Sequence, residues 1–188
     1  MLLTKKSFRE KCLKKQRTAP KHNKVYKDAL LNKKLLHFLE QNSFESILFY
    51  YPLGGEADIR KTLEKMRRKS KIYLPFMQGK SFKMVPFRLP LKRKKFGILE
   101  AGNTNKKIKN IDLAIVPVVG VDGDFKRVGF GKGMYDRFFE KLPKKPYVLF
   151  IQYEFCYTKK QICDSYDIKG DLLLTPTKTL WLGPQKRK

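Results

Sequence analysis

Arg127-Val128-Gly129-Phe130-Gly131-Lys132-Gly133-Met134-Tyr135-Asp136-Arg137 sets three alternating glycines around a lysine, between two arginines, and runs straight into a helical pattern. Glycines without Cβ let backbone N–H groups close on a phosphate, and a helix start adds partial positive charge. The chemistry this combination suits is the holding of a polyphosphate. It is not a Walker loop, because Gly133 follows Lys132 and no hydroxyl is placed for a magnesium ion. It is not a Gly-x-Gly-x-x-Gly dinucleotide fingerprint either, since the run is Gly129-x-Gly131-x-Gly133. A flexible turn joining a strand to a helix is the plainer alternative. Lys132 and the two flanking arginines argue against mere punctuation.

Carboxylates supply the second set of candidates. Asp136 falls just inside the helix after the glycine loop, as a first-turn dipole partner or as a magnesium ligand. Beside a phosphate cradle the metal reading gains, since Mg²⁺ is commonly held by one or two carboxylates plus phosphate oxygens; Asp171 is its candidate partner. Glu56 and Asp58, in Gly54-Gly55-Glu56-Ala57-Asp58, sit between a strand and a helix, where a carboxylate either caps the helix or meets a ligand. His22 and His37 lie away from the glycine loop and read as surface or capping residues. No hydrolase triad, zinc set or nucleophile elbow is present. Positive charge, positioning and metal remain, which is the inventory of phosphoryl transfer.

The elements that must position these residues follow from periodicity. Thr4 to Arg17 reads as a basic helix with Phe8 and Leu13 among its few apolar positions, and Asn23 to Gln41 as a second helix striped by Val25, Ala29, Leu35, Leu36 and Leu39. Ser46 to Tyr51, Asp58 to Lys69 and Lys71 to Phe76 make a βαβ unit. Phe82, Met84 and Pro86 mark an edge strand, and residues 88 to 110 read as loop. Ile111 to Val119 is the best central strand, buried on both faces. After the turn Asp122-Gly123-Asp124 and the glycine loop come a helix from Met134 to Leu142 and strands at Tyr147 to Tyr153 and Leu172 to Thr175. The expected fold is α/β, a single-domain three-layer α/β/α sandwich over residues 1–188 with a mixed, mainly parallel sheet. In such sheets ligands collect beyond the carboxyl ends of strands, which is where the glycine loop falls.

Composition narrows the setting. The 188 residues, 41% hydrophobic, suffice for one full core. No apolar run approaches the ~20 residues of a bilayer span, and Met1-Leu2-Leu3 gives way at once to Thr4-Lys5-Lys6, so a cytoplasmic, soluble protein is expected. Cys12, Cys156 and Cys163 lack metal-type spacing and read as reduced structural thiols. Forty-three basic against 17 acidic residues give a net charge of +26, which implies attraction to polyanions. Much of it reads as solvated surface, and the runs Lys92-Arg93-Lys94-Lys95 and Lys106-Lys107-x-Lys109 suit loops and binding sites equally well.

The sequence resembles the 5-formyltetrahydrofolate cyclo-ligase, or 5,10-methenyltetrahydrofolate synthetase, family. Arg127 to Arg137 is close to that family's Arg-x-Gly-x-Gly-x-Gly-Tyr-Tyr-Asp-Arg; Asp112 to Pro117, Gly120-Val121-Asp122, Lys5 to Arg9, Gly55 to Asp58, Phe96-Gly97-Ile98-x-Glu100 and Asp167 to Asp171 fit its other segments. The resemblance implies that ATP is held by Lys5, Lys6, Arg9, Arg127, Gly129, Gly131, Lys132, Gly133, Met134 and Tyr135, with Arg127, Lys132 and Tyr135 catalytic. It implies folate contacts from Tyr51, Glu56, Phe96, Phe130 and Met134, and Mg²⁺ on Asp136 and Asp171. The implied protein is a monomer acting on 5-formyltetrahydrofolate, with or without a polyglutamate tail, and on ATP; functional nucleic-acid or membrane binding is not expected. Met134 departs from the family, standing where the first of two tyrosines is usual, which keeps apolar contact but loses a ring and a hydroxyl. The rival reading, a basic nucleic-acid-binding module, rests on the charge and on aromatics scattered among lysines, and gives no reason for the glycine loop. A third, an inactive or sugar-phosphate-processing relative of the same fold, follows from the rule that fold does not fix function.

Overall fold

A computed structural model of the protein describes residues 2–19, 23–93, 99–104, 108 and 110–182. Helix α1, Lys5–Thr18, starts at Thr4, whose side chain accepts from the Ser7 N–H while the Ser7 hydroxyl accepts from the Thr4 N–H. That reciprocal pair satisfies two of the donors a helix start leaves orphaned. The helix is so polar that it buries only Phe8 and Cys12, one turn apart. Helix α2, Lys24–Glu40, buries Leu31, Asn32, Leu35 and Leu39. Asn32 is a polar residue in that apolar stripe because it is a joint: its amide donates to the Asp28 and Asp58 carbonyls at 2.7 and 2.6 Å, and its oxygen accepts from the Thr62 N–H and hydroxyl.

Strand β1 (Ser46–Leu48), helix α3 (Arg60–Met66) and strand β2 (Lys71–Gln78) form the expected crossover, with β1 and β2 parallel. The helix is shorter than its periodicity suggests, since the Asp58 carboxylate accepts from the Arg60 N–H and guanidinium and holds the preceding residues out of it. Strand β3 (Ser81–Pro86) returns antiparallel, and β4 (Lys92–Arg93) with β5 (Leu99–Glu100) adds a short ribbon in the stretch expected to be loop. Strand β6, Leu113–Pro117, is buried at every residue, as a strand covered on both faces must be. A ribbon of β7 (Gly120–Val121) and β8 (Arg127–Val128) follows, then helix α4 (Met134–Glu140), β9 (Tyr147–Ile151), β10 (Leu172–Leu174) and β11 (Thr179–Trp181).

The main sheet has the order β11-β10-β9-β6-β1-β2-β3. Its five inner strands are parallel and both edge strands antiparallel. One face packs a core with residues of α2 and α3, including Leu35 and Leu63; the other packs a core with Phe138 and Phe139 of α4. A third cluster seats α1 on the β7–β8 ribbon through Phe8, Cys12, Val119 and Val128. The approach is close enough that a Cβ on Gly120 would lie 2.6 Å from the Phe8 ring, so that position must be glycine.

The expectation of three reduced thiols is corrected. Cys12 and Cys156 form a disulfide across 144 residues of sequence, because α1 lies on the ribbon beside the loop after β9. Cys163 stays free, with burial pushing its thiol pKa well above the ordinary value. Among the described residues no helix is long and apolar enough to cross a membrane.

Candidate active site

The C-terminal ends of the parallel strands deliver two loops. From β6 the chain passes through the β7–β8 ribbon to the glycine loop, and from β1 it passes to the loop holding Tyr51 and Glu56. Each glycine of the first loop has its own reason. Gly131 and Gly133 take φ of +99° and +59°, left-handed values that side chains with a Cβ resist. Gly129 provides room instead: a Cβ there would stand 2.4 Å from the Arg127 guanidinium. The loop is fastened at both ends. Arg9 of α1 donates through Nε to the Gly129 carbonyl at 2.8 Å, while Arg137 of α4 donates to the Lys80 carbonyl at 2.8 Å and the Lys132 carbonyl at 2.5 Å.

Beside this loop runs an open groove of about 1430 Å³. Lys5, Arg9, Arg127 and Lys132 line it together with the acids Asp136, Asp167 and Asp171. Lys132, Lys144, Lys145 and Lys169, also on its walls, make no ion pair among the described residues. A groove with surplus cation and hard carboxylate oxygens is suited to a polyanion with a divalent cation. Lys5 binds Asp167 at 2.5 Å and Asp164 at 3.0 Å. Partial burial acts to lower its pKa, but those two carboxylates outweigh it and the net shift is upward.

Arg127 joins the groove to the second loop. It is only 6% exposed, donates to the Pro117 carbonyl at 3.2 Å, stands 3.5 Å from the Asp136 carboxylate, and lies over the Tyr135 ring at 5.0 Å. Burial lowers its pKa, opposed by Asp136, Tyr135, Glu56 and Asp167. Glu56 accepts from the Leu53 N–H at 2.8 Å. Burial raises its carboxyl to about 7, against that hydrogen bond and the Arg127 charge. Burial and Glu56 likewise push the Tyr135 phenol up. Helix α1 touches this side too, since the Gln16 amide donates to the Gly55 carbonyl.

Lys5, Arg9, Arg127, Gly129, Gly131, Lys132, Gly133, Asp136 and Asp171 thus share one groove. Lys6 is exposed on another side of α1 and does not line it, because one helical step turns a side chain by ~100°. Tyr135 turns away from the groove to meet Phe82 edge-on at 5.0 Å, and Met134 packs into the α4-side core. Phe130 is 42% exposed, and Tyr51 is partly buried against the other core. Phe96 and His22 lie outside the described residues. Asp136 is held loosely, its second oxygen accepting from the Ile168 N–H at 3.4 Å, whereas Asp171 accepts from the Val148 N–H at 2.7 Å where β9 and β10 begin. Sequence reading missed the fastening roles of Arg9 and Arg137 and the presence of Tyr166 on the groove wall; nothing in local spacing marks a contact made across more than 50 residues.

Known proteins resemble this chain along most of its length. The pattern of the 5-formyltetrahydrofolate cyclo-ligase family matches residues 3–172. A protein named 5-formyltetrahydrofolate cyclo-ligase from Mycoplasma pneumoniae is 25% identical over 173 residues, covering 92% of this chain and 98% of its own. The mouse protein of the same name is 23% identical over 192 residues, covering 90% and 92%. The solution structure of Aquifex aeolicus 5,10-methenyltetrahydrofolate synthetase superposes with a TM-score of 0.82 at 23% identity, over 99% of this chain and 96% of that one. A Mycoplasma pneumoniae 5,10-methenyltetrahydrofolate synthetase structure gives 0.74 at 24%, over 93% and 99%. At these identities the two structures establish the fold.

Proposed function

This chain belongs to the 5-formyltetrahydrofolate cyclo-ligase family, and from that premise we propose that it converts 5-formyltetrahydrofolate and ATP into 5,10-methenyltetrahydrofolate, ADP and phosphate. The observation that carries the reading is Arg127, buried between the groove that gathers the glycine loop, Lys5, Arg9 and Lys132 and the separate loop that presents Glu56. Two substrates are expected to meet at such a residue. A formamide is a poor electrophile; transfer of the γ-phosphoryl group to the formyl oxygen gives an iminium phosphate. The neighbouring folate nitrogen then attacks that carbon and phosphate departs, so no protein nucleophile is needed.

In this reading Lys5, Arg9 and the loop N–H groups hold the phosphates. Lys132 and Arg127 meet the negative charge as it moves across the transferring group. Tyr51, Glu56, Phe96, Phe130 and Met134 hold the folate, and the cationic surface favours its carboxylates, one or several. Asp136 and Asp171 fit a Mg²⁺ ion as oxygen donors on the polyphosphate groove. The ion would supply charge neutralisation on the phosphates. The protein acts as a monomer in the cytoplasm. Absorbance of methenyltetrahydrofolate formed from 5-formyltetrahydrofolate, with and without Mg-ATP, tests the proposal: product only with nucleotide is the expected result, and no product under either condition overturns it.

A further inference from the structure

Tyr166 is 70% exposed, yet its ring is held firmly in place on the groove wall. Its hydroxyl donates to the Asp164 carboxylate at 2.9 Å. The Lys5 ammonium, itself bonded to that carboxylate and to the buried Asp167, stands 5.5 Å from the ring centroid. Asp167 also accepts from the Asp164 N–H at 2.7 Å, which closes the set. The other aromatic side chain lining the groove, Phe139, is buried in the core. One flat π surface is therefore fixed open to water next to a lysine of the polyphosphate groove.

We propose that Tyr166 is the platform on which the base of the phosphate-donating nucleotide stacks, and that the site selects nucleotides by stacking area more than by base edge. The inference rests on the reading that a nucleoside triphosphate fills the groove. The described wall supports the second half: it contains no asparagine or glutamine side chain, the amides that read a base edge by paired donor and acceptor, and no histidine, and Ser165 is its one aliphatic hydroxyl. Stacking tolerates any base because every base has a π face, and it favours the larger purines. Lys5, between ring and groove, sets the distance from base to phosphates.

Calorimetric titration of the whole protein with Mg-ATP, Mg-GTP, Mg-CTP and Mg-tripolyphosphate tests this. In the wild type, ATP and GTP should bind within about tenfold of each other and CTP more weakly. Tyr166→Ala should weaken both purine nucleotides by roughly 5- to 100-fold while leaving tripolyphosphate unchanged, and Tyr166→Trp should retain purine affinity. Equal losses for ATP and tripolyphosphate in Tyr166→Ala, or no loss at all, overturn the platform. Wild-type binding of tripolyphosphate as tightly as ATP overturns it while leaving the phosphate groove standing. If the wild type binds neither, the nucleotide reading of the groove falls along with it.

Discussion

Lys132 projects from the glycine loop into solvent with no ion pair among the described residues, so nothing internal competes for its charge. Lys132→Ala should lower turnover by roughly 10²-fold, the scale of one preorganised donor, with an unchanged circular-dichroism spectrum. Near-normal turnover would remove Lys132 from the chemistry. Glu56 makes a pH prediction. Its carboxyl rises from 4.5 to about 7 on folding. Between those values the folded protein keeps a proton that the unfolded chain has released, so stability falls as pH rises from about 4.5 through about 7. Glu56→Gln should abolish that slope. Urea titrations at about pH 5 and about pH 8 would show the wild type losing up to ~3 kcal/mol relative to the variant, and parallel curves would exclude Glu56 as the titrating group. For the metal, Asp136→Asn and Asp171→Asn keep an acceptor while removing a charge; each should raise the Mg²⁺ needed for half-maximal rate. Unchanged Mg²⁺ dependence in both would reject the pair, and a change in Asp136→Asn alone would leave Asp171 to its Val148 hydrogen bond.

At the level of elements, the glycine loop works as a frame around Arg127. Gly129→Ala puts a methyl group 2.4 Å from the guanidinium's present position, so Arg127 must swing out of its place between Pro117, Asp136 and Tyr135. Turnover should fall about as far as on removing an oxyanion-type donor, roughly 10²-fold, with a normal fold; a structure of the variant with Arg127 unmoved would refute the framing role. The glycine loop, the buried β6 and the β1-α3-β2 crossover were legible in sequence because their signals are local: glycine spacing, a continuous apolar run, and alternating strand and helix periods. The two-residue strands of the β7–β8 ribbon carry no period to detect. Gly129 looked like a phosphate-approach glycine, whereas its room is taken by a side chain two residues earlier, a relation that exists only in three dimensions. Tyr166, in a polar turn, had no pattern around it at all.

Across the whole molecule, the Cys12–Cys156 bond ties the helix carrying Lys5 and Arg9 to the loop after β9. Closing a loop of 144 residues restricts the unfolded chain by up to ~5 kcal/mol in the chain-entropy account. Reduction should lower the melting temperature by several degrees and weaken nucleotide binding through freer α1, with Cys12→Ser reproducing both effects. An identical melting curve with and without reductant would show that the bond adds nothing to stability. The same span explains the missed pairing: spacing rules find cysteines that are near in sequence, and α1 reaches its partner only through the complete sheet.

That helix also sets a timetable for synthesis. Lys5 waits for Asp164 and Asp167, Arg9 for Gly129, Cys12 for Cys156 and Lys15 for the Phe155 carbonyl. At ribosomal speeds of about 5 to 20 residues per second, α1 is polymerised roughly 7 to 30 s before the last of those anchors. A 14-residue helix with two buried side chains is marginal on its own. A nascent chain halted just before Asp167 therefore carries the strands of the sheet's centre, the glycine loop and the anchors of Arg9, Cys12 and Lys15, yet Lys5 still lacks its buried carboxylate partner on the groove wall.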